Sequence, residues 1–139
     1  MYTLKTNASF DSAHFLSGYE GKCSNIHGHR WKVEIEVGSE NLEVEGQNRG
    51  MIVDFSKLKE DLSNIVDYFD HCLIYETGSL KDKTLEVLRE ENFRLVEVSF
   101  RPTAEKFSEY FYREMSKKGY KVVLATVYET PNNCASYTG

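Results

Sequence analysis

From His27 to Val37 the chain alternates between two kinds of side chain. Trp31, Val33, Ile35 and Val37 fall on one parity, and Lys32, Glu34 and Glu36 on the other. Successive residues of a β-strand point to opposite faces, so this pattern makes a strand with one apolar and one charged face. A helix would scatter the same residues around its circumference. The stretch therefore commits the chain to a sheet whose apolar side is covered by a second layer. His27 and His29 share the parity of Trp31, so both imidazoles project from the face that borders the core.

The flanking sequence supplies the other elements. Residues 2 to 16 alternate more loosely, with Tyr2, Leu4, Ala8 and Phe10 on one parity, and read as a strand. Residues 17 to 26 are rich in Gly, Ser and Asn and read as a loop, and Gly38 to Gly50 as a polar connection with an acidic bias. A helix follows Asp54, its N-cap, with Phe55, Leu58, Leu62, Ile65, Val66 and Phe69 at helical spacing. A second helix opens at Pro102-Thr103-Ala104-Glu105 with Thr103 as N-cap, carries Phe107, Tyr110, Phe111 and Met115, and stops at Gly119. Residues 120 to 129 form another strand. After a turn at Pro131, Cys134 to Tyr137 pair back against it. Between the helices, the segment from Thr77 to Phe100 is less regular. Within it Leu80 to Leu88 reads as a short helix and Phe93 to Phe100 as a short strand. The simplest layer arrangement is an α+β fold, an antiparallel sheet with helices on one face.

With 139 residues the chain is expected to form a single domain, 1–139, with a core that needs no disulfide or metal staple. The net charge of −5, with no Lys/Arg stripe, argues against a nucleic-acid footprint but leaves room for a small anionic substrate. Cys23, Cys72 and Cys134 are odd in number and widely spaced, a reduced rather than disulfide-bonded pattern. No apolar run reaches membrane-spanning length, and Met1 to Lys5 lack the character of a signal peptide, so a cytoplasmic protein without membrane association is expected.

The chemistry-bearing residues concentrate in a few places. The chain has four histidines, and His14 closes the first strand just as His27 and His29 open the second. If those strands pair antiparallel, three imidazoles converge, the number of protein ligands that a catalytic zinc with an open position takes. An isolated His-x-His would more simply be a surface turn; the matching place of His14 favours the metal. Cys23 lies four residues before His27, where a nearby cation would lower its pKa and make it a thiolate base or nucleophile. Asp70-His71 has the makings of a carboxylate-oriented imidazole, and equally of a helix C-terminal dipole partner. Glu105 in a first helical turn reads as a dipole partner. Glu129 ends an otherwise apolar strand and so reads as a half-buried carboxylate that needs a donor. A heterocycle with an amidine-like N–H pair would serve, and so would an internal Arg or Lys.

Taken together, Ser12-Ala13-His14, Cys23-x3-His27-Gly28-His29, Met51-Ile52-Val53-Asp54, Asp70-His71, Pro102-Thr103-Ala104-Glu105 and Glu129-Thr130 resemble the 6-pyruvoyl-tetrahydropterin synthase family, over nearly the whole chain. The likeness is greatest to its 6-carboxytetrahydropterin synthase branch, of queuosine (7-deazaguanine) biosynthesis. The resemblance implies a tunnelling fold (T-fold), ββααββ, with a four-stranded antiparallel sheet and two main helices on one face. Its protomers would assemble into a barrel as a trimer or a dimer of trimers. It implies Zn2+ on His14, His27 and His29. It also implies Cys23 as the base, activated by Asp70 and His71 of a neighbouring subunit. Glu129 would anchor the pterin, with Glu105 and Thr103 nearby.

The implied reaction converts 7,8-dihydroneopterin triphosphate to 6-carboxy-5,6,7,8-tetrahydropterin, acetaldehyde and triphosphate. The alternatives are a 6-pyruvoyl-tetrahydropterin synthase, a non-catalytic pterin- or purine-binding T-fold protein, and a chain whose zinc serves only the fold. Two features depart from the family pattern. Arg30-Trp31 follows His29 where a small polar residue and an aromatic are expected, and the segment at about 77–100 looks like an insertion in the compact core. Cys23 itself speaks against the branch that carries glutamate there for folate synthesis.

Overall fold

A computed structural model describes residues 1–139. Two long strands, β1 (Tyr2–His14) and β2 (His27–Ser39), pair antiparallel over their full length, from Tyr2 opposite Ser39 to His14 opposite His27. After them come helix α1 (Phe55–Val66), strand β3 (Leu73–Glu76), helix α2 (Asp82–Glu90) and strand β4 (Leu95–Val98). Helix α3 (Ala104–Lys117) and strands β5 (Val122–Thr130) and β6 (Asn133–Tyr137) complete the chain.

The strand order is β4-β3-β1-β2-β5-β6, a six-stranded sheet rather than the expected four. It is also mixed rather than purely antiparallel, because β3 runs parallel to both β1 and β4. The two added strands are four residues each, and their partners lie far away in sequence. Leu73 to Glu76 carries no alternation long enough to announce a strand. Helix α2 and strand β4 correspond to the short helix and strand expected between Leu80 and Phe100, with α2 ending two residues later and β4 shorter at both ends.

Both main helices cover the apolar face of the sheet. Leu58, Leu62 and Val66 of α1, and Phe107, Phe111 and Met115 of α3, are fully buried against Phe10, Trp31, Val33 and Ile35. Phe10 stacks on Trp31 at 5.8 Å between centroids, and Phe107 meets Trp31 edge-on at 5.2 Å. Each such side chain taken wholly from water contributes about 1.5–3 kcal/mol. Both expected caps are present: Asp54 accepts from the N–H of Ser56 at 2.7 Å, and Thr103 from that of Lys106 at 3.3 Å. Phe55, counted in the apolar stripe of α1 from spacing alone, is the first residue of the helix and is instead 63% exposed. On the opposite face, α2 covers only the β3–β4 end, where Leu85 packs with Phe15, Leu73, Tyr75 and Leu95. Elsewhere that face carries charged residues such as Lys5 and Glu34, 3.1 Å apart.

Candidate metal centre and its surroundings

The β1–β2 register builds the centre. His14 pairs directly with His27, and Ser12 with His29, so three imidazoles gather on the core face at one end of the strand pair. Their ligand atoms lie within 4.8 Å of one another. Trp31, one step further into the core, meets the rings of His14 and His29 edge-on at 4.9 and 5.4 Å.

Backbone carbonyls fix the tautomers. His14 Nδ1–H donates to the carbonyl of Pro102 at 2.8 Å, and His27 Nδ1–H to that of Asn25 at 2.7 Å. A neutral imidazole has one N–H, so both Nε2 atoms carry lone pairs, and they face each other at 3.1 Å. Two lone pairs repel at that distance unless a cation lies between them. His29 Nε2 is buried and makes no hydrogen bond at all. Burial holds His14 down to about 4 and also lowers His29, with Glu129 opposing the shift at His29, so both rings are in the neutral form that binds metal. Three convergent imidazole nitrogens, with the Nδ1 of His14 and of His27 held by carbonyls on the far side of each ring, suit a divalent ion such as zinc.

Glu129 ends β5 beside β2, its Oε1 3.5 Å from His29 Nε2. It is half-buried, as the strand pattern required, and no Arg or Lys of the chain pairs with it. It borders a cavity of about 470 Å3 lined by Gly28, His29, Arg30, Thr130 and Pro131 among others. Arg30 projects from the charged face, 3.5 Å from Asp11 across the strand pair.

Cys23 sits in a single 3-10 turn, Lys22–Ser24, half-buried and free. Its carbonyl accepts from the N–H of Leu16 at 2.9 Å, which closes the neck of the loop. Asp70 and His71 lie elsewhere, beside β1. Helix α1 ends at Val66 and is followed by a 3-10 turn, so the pair stands past the helix rather than at its end. Asp70 Oδ2 accepts from His71 Nδ1 at 2.8 Å, while its Oδ1 accepts from the N–H of Asp11 at 2.8 Å. That backbone N–H, and then His71, hold the Asp70 carboxyl below the usual range. The His71 N–H returns a bond to Asp11 O at 2.7 Å, and its φ of 53° is left-handed. Arg94 donates to the carbonyls of Asp70 and Tyr68. The two side chains are thus a true carboxylate–imidazole unit, which sequence adjacency alone left open. His71 is 80% exposed and neither residue hydrogen-bonds Cys23 of its own chain.

Thr103 serves as the α3 cap, next to the Pro102 carbonyl that holds His14. Glu105 is exposed in the first turn of α3 and makes no ion pair. The structure adds three groups that residue type could not single out: the carbonyls of Asn25 and Pro102, and the backbone of Asp11. Main-chain atoms carry no sequence signature, although a proline just before a helix cap was a visible hint for the second.

Comparison with known proteins places this site in context. A sequence model described as 6-pyruvoyl tetrahydropterin synthase matches residues 3–139. A Haemophilus influenzae protein named 6-carboxy-5,6,7,8-tetrahydropterin synthase is 32% identical over 141 aligned residues, covering 99% of either chain. A putative enzyme of the same name from Pyrococcus horikoshii is 34% identical, over 93% of this chain and 85% of that one. Among solved structures, an uncharacterized protein of Wolinella succinogenes superposes with a TM-score of 0.76 at 20% identity, covering 99% and 98% of the two chains. The 6-pyruvoyl tetrahydropterin synthase of Caenorhabditis elegans gives 0.68 at 25% identity, covering 99% and 95%. These likenesses show the tunnelling fold, here with its sheet widened to six strands.

Proposed function

This chain belongs to the 6-pyruvoyl tetrahydropterin synthase family, and on that premise we propose that it is a zinc-dependent lyase of queuosine biosynthesis. It converts 7,8-dihydroneopterin triphosphate to 6-carboxy-5,6,7,8-tetrahydropterin, acetaldehyde and triphosphate. The observation that carries the reading is the facing pair of Nε2 lone pairs on His14 and His27, with the unpartnered Nε2 of His29 beside them. Names borne by relatives from Haemophilus influenzae and Synechocystis favour the carboxy product.

His14, His27 and His29 hold the zinc, which when bound makes the protons of the side-chain carbinols more acidic. The Cys23 thiolate removes such a proton. The Asp70–His71 unit relays or returns one, and the exposed His71 ring is free to do so for the Cys23 of a neighbouring copy. Glu129 accepts hydrogen bonds from the pterin 2-amino group and ring N–H, which aims the reacting carbons at the metal. Thr103 and Glu105 stand at the start of α3, near the ring. The working unit is a trimer or dimer of trimers, in the cytoplasm, where three free cysteines persist.

The test is to incubate the purified, zinc-loaded protein with 7,8-dihydroneopterin triphosphate and to assay acetaldehyde and triphosphate together. Both products in equal amounts are expected. Triphosphate without acetaldehyde would indicate the 6-pyruvoyl product instead, and neither product would leave a pterin-binding protein without catalysis.

A further inference from the structure

The dipeptide Arg101-Pro102 touches two parts of the site at once. The Pro102 carbonyl accepts from His14 Nδ1 at 2.8 Å and so orients a metal ligand. One residue earlier, Arg101 Nη2 donates to the carbonyl of Ser17 at 2.9 Å, 84 positions away, at the neck of the loop that carries Cys23. The same guanidinium lies over the Tyr19 ring, 5.6 Å from its centroid. The Tyr19 ring in turn covers Gly21 so closely that a Cβ at position 21 would come within 2.7 Å of it. Gly21 leads directly into the 3-10 turn Lys22–Ser24 that contains Cys23, through the bond from Ser24 N–H to Gly21 O at 3.2 Å. Arg101, Tyr19, Gly21 and Cys23 thus form one chain of contacts. Arg101 Nε is buried without a partner, so the side chain is held here although one of its donors goes unsatisfied.

We infer that Arg101 is a positioning residue that sets the Cys23 thiol relative to the three metal-binding imidazoles. The inference rests on the role proposed for Cys23. The physical reason is leverage. Arg101 and Pro102 are consecutive and open α3, a helix whose Phe107, Phe111 and Met115 are fully buried, so both holding contacts issue from one rigid support. The loop 17–24 has few other anchors. Besides the Leu16–Cys23 clasp, its hydrogen bonds are local. Without the Arg101 contacts the clasp still closes the loop, but the thiol is free to swing about it. A proton abstraction tolerates little such motion, since a misplacement of about 1 Å costs on the order of 100-fold in rate.

The experiment compares the zinc-loaded wild-type protein with Arg101→Ala, Arg101→Lys, Tyr19→Ala and Cys23→Ala. Four quantities are read: zinc per chain, KM, kcat, and the rate of Cys23 alkylation by iodoacetamide, followed on its own peptide. For Arg101→Ala, zinc content and KM stay at wild-type values, because the Pro102 carbonyl and Glu129 are untouched. Its kcat falls by about 10- to 100-fold, and Cys23 alkylation changes several-fold. Arg101→Lys recovers part of both, and Tyr19→Ala, which removes only the stack, shifts both in the same direction by less. Wild-type kcat and alkylation in Arg101→Ala overturn the inference, and so does loss of zinc or a rise in KM with kcat unchanged. If Arg101→Ala does not fold, Tyr19→Ala decides by the same readouts. Activity retained in Cys23→Ala would overturn the proposed role of Cys23, a result distinct from a silent Arg101→Ala beside a dead Cys23→Ala.

Discussion

His14 and His27 meet nitrogen to nitrogen, their Nε2 atoms 3.1 Å apart, and each donates its only N–H to a backbone carbonyl. The contact repels in a metal-free chain and would become favourable with a divalent cation bound to the two nitrogens. The metal preference is therefore written into the strand register that makes these residues partners. The surrounding core of Trp31, Phe107 and Phe10 does not depend on it.

Chelation should accordingly leave a folded protein. With the metal removed, far-UV circular dichroism is expected to be unchanged and calorimetry to show one cooperative transition at a lower Tm. Zinc at 100 times its Kd restores about 2.7 kcal/mol. A chain that loses its secondary structure on chelation would mean that the metal serves the fold.

Glu129→Gln should separate substrate binding from metal binding. The carboxylate pairs with no internal cation, so its hydrogen bonds are available to a ligand. Replacing charged hydrogen bonds by neutral ones costs about 1.5–3 kcal/mol, or roughly 10- to 100-fold in pterin affinity. Zinc content should stay at one per chain. Isothermal titration with a pterin, alongside metal analysis, reads both.

Asp70 and His71 are joined at 2.8 Å, yet they make no hydrogen bond to the Cys23 of their own chain. Cys23→Ala and His71→Ala should each be inactive alone. Refolding the two together should restore measurable activity if His71 serves the thiol of a neighbour. Complementation that never appears, with mixed oligomers shown to form, would place the relay within one subunit.

The stability of the fold should carry a pH signature remote from the site. Asp61 on α1, 8% exposed, accepts from Tyr120 Oη at 2.6 Å and from Lys57 at 2.9 Å. The Tyr120 bond, then that of Lys57, hold its carboxyl below the usual range, while burial and Asp61 raise the Tyr120 phenol. A depressed folded pKa contributes stability above the ordinary carboxylate value, about 3.9. That contribution is lost as pH falls through the lower, folded value. Tyr120→Phe should destabilise by about 1.5–3 kcal/mol at pH 7, and less once Asp61 is protonated in acid. Urea titrations of both proteins at several pH values check the sign.

Some of this molecule was legible residue by residue. The two-residue period of His27 to Val37 and the helical spacing of Leu58, Leu62 and Phe107, Phe111 are local consequences of backbone geometry, and all stand where expected. The caps Asp54 and Thr103 were equally readable, because a side-chain oxygen satisfies a neighbouring N–H. Strand β3 was not. Leu73 to Glu76 is too short to show a period, and only parallel pairing with β1 and β4 makes it a strand. Phe55 departs from expectation for a related reason: helical spacing describes a face but not how much of it another element covers, and Phe55 is left 63% exposed.

The sequence by itself determined that His27 and His29 would share the core face of their strand, since side-chain direction follows from parity, and that His14 would join them if the two strands paired antiparallel, as they do. It also determined that Glu129 would be half-buried and in need of a donor. Only the tertiary structure decided that the Asn25 and Pro102 carbonyls turn the Nε2 atoms of His27 and His14 inward, that Asp70 and His71 touch, and that Arg101 reaches across to the Cys23 loop. The Pro102 and Arg101 contacts join residues 88 and 84 positions apart, so they exist only once the core has brought the elements together. Those of Asn25 and Asp70 depend instead on local backbone conformation, such as the left-handed φ of His71.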